Sequence, residues 1–158
     1  GMLFNSLEKW WGDHGKRDNP HEGLDLYLYR DRQDRICCLN QKTKIPVMYN
    51  GVVVSIIDDF LGKSVIMEHP HHDDVNSRFC TIYGHTRPDD SLHAGSIVRE
   101  GDIIATLADA SKSKAEILPH LHISLGWPSN DISYDRLDWK TISANTLTFL
   151  DPLHVIGE

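Results

Sequence analysis

The chain has 158 residues, a length that suits one domain and can bury a real core without disulfide or metal staples. Hydrophobic residues make up 40% and charged residues 25%, ordinary globular usage that excludes a disordered or fibrous chain. Sixteen Lys+Arg against 23 Asp+Glu give a net charge of −7, which argues against nucleic acid or an anionic membrane surface as the main partner.

No run approaches the roughly 18 apolar residues of a membrane span, and no basic segment leads into an apolar one, so neither a span nor a signal peptide is expected. Residues 1–19 are an N-terminal extension. Leu3, Phe4, Leu7, Trp10 and Trp11 read as a short helix, and the polar run from Gly12 to Pro20 reads as a loop. A domain over residues 20–155 follows. From Leu24 to Tyr29 the pattern alternates with period two, and Ile36 to Leu39 is the expected hairpin partner. Ile45 to Tyr49 leads into Asn50-Gly51 and then Val52 to Ile57, the strongest short-range hairpin cue in the chain. Further strands are expected at Ser64–Glu68, Arg78–Tyr83, Ile97–Val98, Asp102–Leu107 and His120–Leu125, with a short helical stretch near Arg136–Ile142. The predicted class is all-β: a curved antiparallel sandwich or partly open barrel with short helical or irregular trimmings at the termini.

The chain carries ten histidines and three cysteines. Cys37, Cys38 and Cys80 read as small buried hydrophobes. His14, His93 and His154 read as surface residues, and Glu68-His69-Pro70-His71-His72-Asp73-Asp74 reads as a solvated loop, because adjacent side chains seldom converge on one ion.

Two other groups carry more chemistry. In His21-Glu22-Gly23-Leu24-Asp25 the two ends of a regular strand would stand about 13 Å apart, so sharing an ion requires a bend. Gly23, free to take positive φ, is placed to supply it. In His120-Leu121-His122 the two imidazoles share a face at a spacing of roughly 6–7 Å. Tyr83-Gly84-His85 adds a further histidine at a strand end. His21, Asp25 and His122 would make two nitrogen ligands and one carboxylate, leaving a fourth position for water, as catalytic zinc sites do. His85 and His120 remain as imidazoles able to move protons or to bind the oxyanion of a tetrahedral intermediate.

In this order and spacing the three motifs resemble the lysostaphin-type (LytM-like) zinc endopeptidases, peptidoglycan hydrolases with a duplicated hybrid motif fold. Pro46 to Val53, Gly62 to His69, Val98 to Ile104 and Asp151-Pro152-Leu153 fit the framework of that family, so the likeness spans about residues 20–155. The resemblance implies one Zn2+ per chain on His21, Asp25 and His122, with His85 and His120 catalytic. It implies hydrolysis of a peptide bond in peptidoglycan stem or cross-bridge peptides, a curved antiparallel sheet with the zinc in a groove, and work at the cell envelope. A second reading stays open: members of this fold can lose ligands and serve as non-catalytic modules that regulate a cell-wall hydrolase. Two segments depart from the family pattern and are expected to border the groove: the charged hairpin tip Arg30–Arg35, and the stretch Ala110–Pro119, which lacks the usual glycines.

Overall fold

Alternating side chains build this molecule strand by strand. The computed structural model describes residues 1–70, 78–113, 116–142 and 146–156. In chain order its strands are β1 (Leu24–Leu26), β2 (Leu28–Arg30), β3 (Ile36–Cys38), β4 (Lys44–Pro46), β5 (Gly51–Asp58) and β6 (Lys63–Pro70). They continue with β7 (Arg78–Pro88), β8 (Ile97–Val98), β9 (Ile103–Leu107), β10 (Leu121–Pro128) and β11 (Leu147–Leu150). The main sheet runs β1-β10-β7-β6-β5-β8, with β11 on β10, β9 on β7 and β4 on β9; β2 and β3 form a separate hairpin. All these pairings are antiparallel, and the described strands do not close into a barrel. Two short helices, α1 (Trp139–Thr141) and α2 (Pro152–Ile156), sit near the C-terminal end. No helix among the described residues is long and apolar enough to cross a membrane.

The period of two divides the labour of each central strand. On β10, Leu121, Ile123 and Leu125 enter the main core with Val65 and Met67 of β6, Tyr83 of β7 and Ile104 and Leu107 of β9. The intervening His122 and Ser124 are buried on the opposite side. That second face carries a smaller cluster of Ile57, Ile66, Ile82, Leu137 and Ile142, with Trp139 packed against it. The functional side chains thus stand on a face backed by a packed sheet.

Several expectations change here. The N-terminal helix does not form: residues 1–20 make turns and a small antiparallel bridge between Glu8 and Lys16. Asn5, Gly12 and His14 all take positive φ (61°, 59° and 51°), incompatible with a right-handed helix, and the segment's backbone bonds go to residues 21 and 25 instead. Nor does Asn50-Gly51 close a hairpin. β4 pairs with β9, while β5 pairs with β6 and β8. Asn50 bonds elsewhere: its carbonyl accepts from His69 Nδ1 at 2.8 Å and its side-chain oxygen accepts from the Glu100 amide at 2.9 Å.

His69 is a buried residue of β6 and not part of a solvated loop, with Nε2 on Thr81 Oγ1 at 2.7 Å as its second bond. His71 to Asp74, the rest of that run, lies outside the described residues. Of the cysteines only Cys80 is buried; Cys38 is exposed and Cys37 half-buried on the projecting β3. His14, His93 and His154 are exposed, as expected.

Candidate metal centre

Asp25 of β1 and His122 of β10 are directly opposed cross-strand partners, so sheet pairing alone sets their side chains together. His21 joins them because the chain bends at Gly23 just before β1. The bend does not use positive φ, contrary to expectation. Glycine is required for close approach: a Cβ at position 23 would strike the Ile123 carbonyl and come within 2.8 Å of Ser124 Oγ. Gly84 plays a related part beneath the site, where a Cβ would lie 3.1 Å from the His122 Cβ.

The result is a near-equilateral triangle of donor atoms. His21 Nε2 lies 3.1 Å from His122 Nδ1 and 3.1 Å from Asp25 Oδ1, and His122 Nδ1 lies 3.0 Å from Asp25 Oδ1. All three residues are buried, at 2%, 4% and 5% exposure for His21, Asp25 and His122. Among the described residues this is the set whose donor atoms converge closely enough to hold one metal ion.

Each outer atom is tied in turn. His21 Nδ1 donates to the Leu3 carbonyl at 3.1 Å, which leaves a lone pair on Nε2 of the neutral ring. His122 Nε2 pairs with Ser124 Oγ at 2.8 Å, and Asp25 Oδ2 accepts from Trp10 Nε1 at 2.9 Å. Burial alone would raise the Asp25 carboxyl pKa, but the adjoining His122 and His21 rings outweigh it and hold the group well below the usual carboxylate range. Three atoms that can each present a lone pair thus meet within 3.1 Å of one another. A cation resolves that crowding. Tetrahedral ligation of zinc at 2.0–2.1 Å sets donor atoms roughly 3.3 Å apart, close to the triangle observed, and two imidazoles with one carboxylate are borderline donors suited to zinc.

His120 and His85 complete the cluster without joining the triangle. His120 Nδ1 donates to the Leu118 carbonyl at 2.9 Å, and its Nε2 faces Asp25 Oδ2 at 3.8 Å. Desolvation drives the His120 pKa down to about 4, with the Asp25 charge opposing and His85 and His122 reinforcing, so the ring is neutral at pH 7. His85 packs 4.6 Å from His120, ring centre to ring centre. It sits at a bulge of β7 with φ +61°, a strained backbone for a residue with a Cβ.

Asp59, which the sequence reading did not single out, braces His85. Its Oδ2 accepts from the His85 amide at 2.8 Å and Ser64 Oγ at 2.7 Å, and its Oδ1 from the Leu61 and Gly62 amides at 3.0 and 2.7 Å. Oδ1 also lies 3.2 Å from His85 Nδ1, an ion-pair contact off the line of a hydrogen bond. Burial would raise the Asp59 pKa, but these contacts, His85 foremost, hold it far below normal.

The cluster opens into a groove of about 590 Å³. Trp11, Arg17 and Asn19 stand on its N-terminal side and Phe60, Trp139 and Lys140 elsewhere around it. Among the described residues, neither Arg30–Arg35 nor Ala110–Pro119 contributes to its lining, contrary to expectation.

A three-donor site with an open side and spare imidazoles is the arrangement of metal-dependent hydrolases. The sequence profile of Peptidase family M23 matches residues 37–134, well over half of the chain, and the protein belongs to that family. His85, His120 and His122 fall inside the matched range, whereas His21 and Asp25 precede it. Among solved structures the fold is similar to that of LytU, at 20% identity and a TM-score of 0.59, covering 99% of this chain and 83% of that one. It is also similar to lysostaphin, solved by NMR, at 19% identity and a TM-score of 0.59, with 99% of this chain and 49% of that one covered. No curated protein sequence matches the chain.

Proposed function

We propose that this protein is a zinc-dependent endopeptidase that cleaves a peptide bond in peptidoglycan stem or cross-bridge peptides, and that it works at the cell envelope. The reading rests on the triangle of His21 Nε2, Asp25 Oδ1 and His122 Nδ1 beside the His85–His120 pair, in a chain of Peptidase family M23. His21, Asp25 and His122 hold one zinc ion. When bound, the ion supplies a Lewis acid that makes its water acidic near neutral pH and polarises a carbonyl.

The chain's own groups do the rest. His120 is uncharged at pH 7, with its Nε2 lone pair directed at the site, and takes the proton of the attacking water. His85, within van der Waals reach of His120 and with the Asp59 carboxylate beside Nδ1, stabilises the oxyanion and passes on to the leaving amine the proton that His120 took from the water. Buried Asp59 balances the charge that His85 carries while it holds that proton. Phe60 packs edge-on against His85 with ring centres 4.7 Å apart, restricting water on that side.

Digestion of purified peptidoglycan from several wall types, with product masses identifying the bond cut, tests this reading. The expected result is about one zinc per chain and new amino termini at one type of bond. Asp25→Ala and His122→Ala should lose both zinc and activity. A folded protein that takes up no zinc under zinc-replete conditions and releases no fragments would instead be a binding or activator module.

A further inference from the structure

The N-terminal segment reads as an extension in the sequence, yet its atoms reach the centre of the site. From the geometry we infer that residues 2–19 form a strap that fixes two of the three metal ligands, with Trp10 as the positioning residue for Asp25. This inference rests on the zinc reading above.

The strap is anchored at both ends of the first motif. Its backbone exchanges bonds with His21, from the Asn5 amide to the His21 carbonyl at 2.9 Å and from the His21 amide to the Ser6 carbonyl at 3.0 Å. The Asp25 amide donates to the Met2 carbonyl at 2.9 Å, and Met2 is buried. Farther along, a bridge between Glu8 and Lys16 folds the segment back, and Arg17 pairs with Glu22 at 2.8 Å. The turn of this small hairpin presents the Trp10 ring to the site. Trp10 stacks on Tyr27 with ring centres 5.0 Å apart and meets His120 edge-on at 5.1 Å.

Those contacts leave the indole one hydrogen-bonding task. Nε1–H donates to Asp25 Oδ2 while Oδ1 faces the other two ligands. A carboxylate bonded this way cannot rotate freely, so only one oxygen is presented to the ion. The Leu3 carbonyl does the equivalent for His21 by holding the proton on Nδ1. Outer bonds of this kind orient ligands and typically carry about 10–100-fold in metal affinity. Of the three ligands only His122 takes its outer partner, Ser124, from its own strand.

The test is Trp10→Phe in the full chain, which keeps a ring between Tyr27 and His120 and deletes the N–H. Zinc affinity would be measured by chelator competition, and the unfolding midpoint of the metal-free protein in parallel. The expected result is zinc binding weakened about 10–100-fold with the metal-free midpoint nearly unchanged. Unchanged affinity overturns the inference, and so does a loss of affinity matched by a loss of metal-free stability, which would make Trp10 merely a packing residue. Wild-type protein that binds no zinc removes the parent reading, whereas tight wild-type binding with an indifferent Trp10→Phe removes this inference alone.

Discussion

Asp59 and His85 show how much of this candidate site depends on a residue outside the His21–Asp25–His122 triangle. The carboxylate is almost fully buried, and it accepts hydrogen bonds from the Leu61, Gly62 and His85 amides and from Ser64 Oγ. A carboxylate used only to shape the β5–β6 turn would need just the first two. The remaining contacts hold His85 in its left-handed backbone conformation and place a negative charge beside Nδ1. His85→Ala should therefore lower kcat by about 10²–10⁴-fold while zinc content stays near one ion per chain. Asp59→Asn keeps the size and most of the turn bonds but removes the charge. Its expected effect is a smaller drop in kcat, about 10-fold or more, with KM and zinc content nearly unchanged. Metal analysis and steady-state kinetics on one set of samples check both variants. If His85→Ala emptied the site of zinc while folding intact, the division between ligands and proton carriers would be wrong.

Among the elements, the meeting of β1 and β10 decides whether a site exists at all. Opposed strands put Asp25 against His122, and Gly23 lets the chain bend tightly enough to bring in His21. Gly23→Ala places a methyl against the Ile123 carbonyl and Ser124 Oγ, which itself positions His122. Strand β1 must then shift, at a cost of about 1–3 kcal/mol in stability and with loss of zinc. Denaturant unfolding and metal analysis of the variant would show both. The motifs were legible because each is local: two imidazoles two residues apart share a strand face, and glycine permits the bend. Strand positions were legible for the same reason, from alternation along β5, β6 and β10. What stayed hidden acts over distance. Trp10 and Asp25 are 15 residues apart, and Asp59 and the His85 amide are 26 apart. The Asn50-Gly51 cue misled because a turn-forming dipeptide says nothing about competing bonds. Here His69 and Glu100 claim Asn50, and β9 claims β4. The apolar N-terminal residues likewise looked helical until the acceptors on their backbone found donors at His21 and Asp25.

Across the whole molecule, burying so many imidazoles makes folding sensitive to acid. His69, His120 and His122 all have pKa values pushed below the ordinary histidine value, chiefly by burial. For His69 the Asn50 carbonyl and Glu68 oppose that push without cancelling it. As pH falls below about 6.5 the unfolded chain protonates these residues first, so it binds more protons than the native state and stability decreases. The contribution is complete above the unfolded value and is lost as pH drops through each folded value, which for His120 is about 4. Asp25 and Asp59, whose pKa values are lowered in the fold, extend the loss to still lower pH. Each proton taken up preferentially by the unfolded chain is worth about 1.4 kcal/mol per pH unit. The metal-free protein should therefore show a urea midpoint that falls steadily between pH 6.5 and 4. Bound zinc adds a second, steeper dependence, because its ligands must be deprotonated to hold it. His69 separates the two effects, since it is buried away from the ligand triangle and bonded to Asn50 and Thr81. His69→Gln should make the metal-free profile shallower between pH 6.5 and 4, with zinc affinity at pH 7.5 unchanged. A metal-free midpoint that stays flat across this range would show that the buried imidazoles find compensating charge as they protonate.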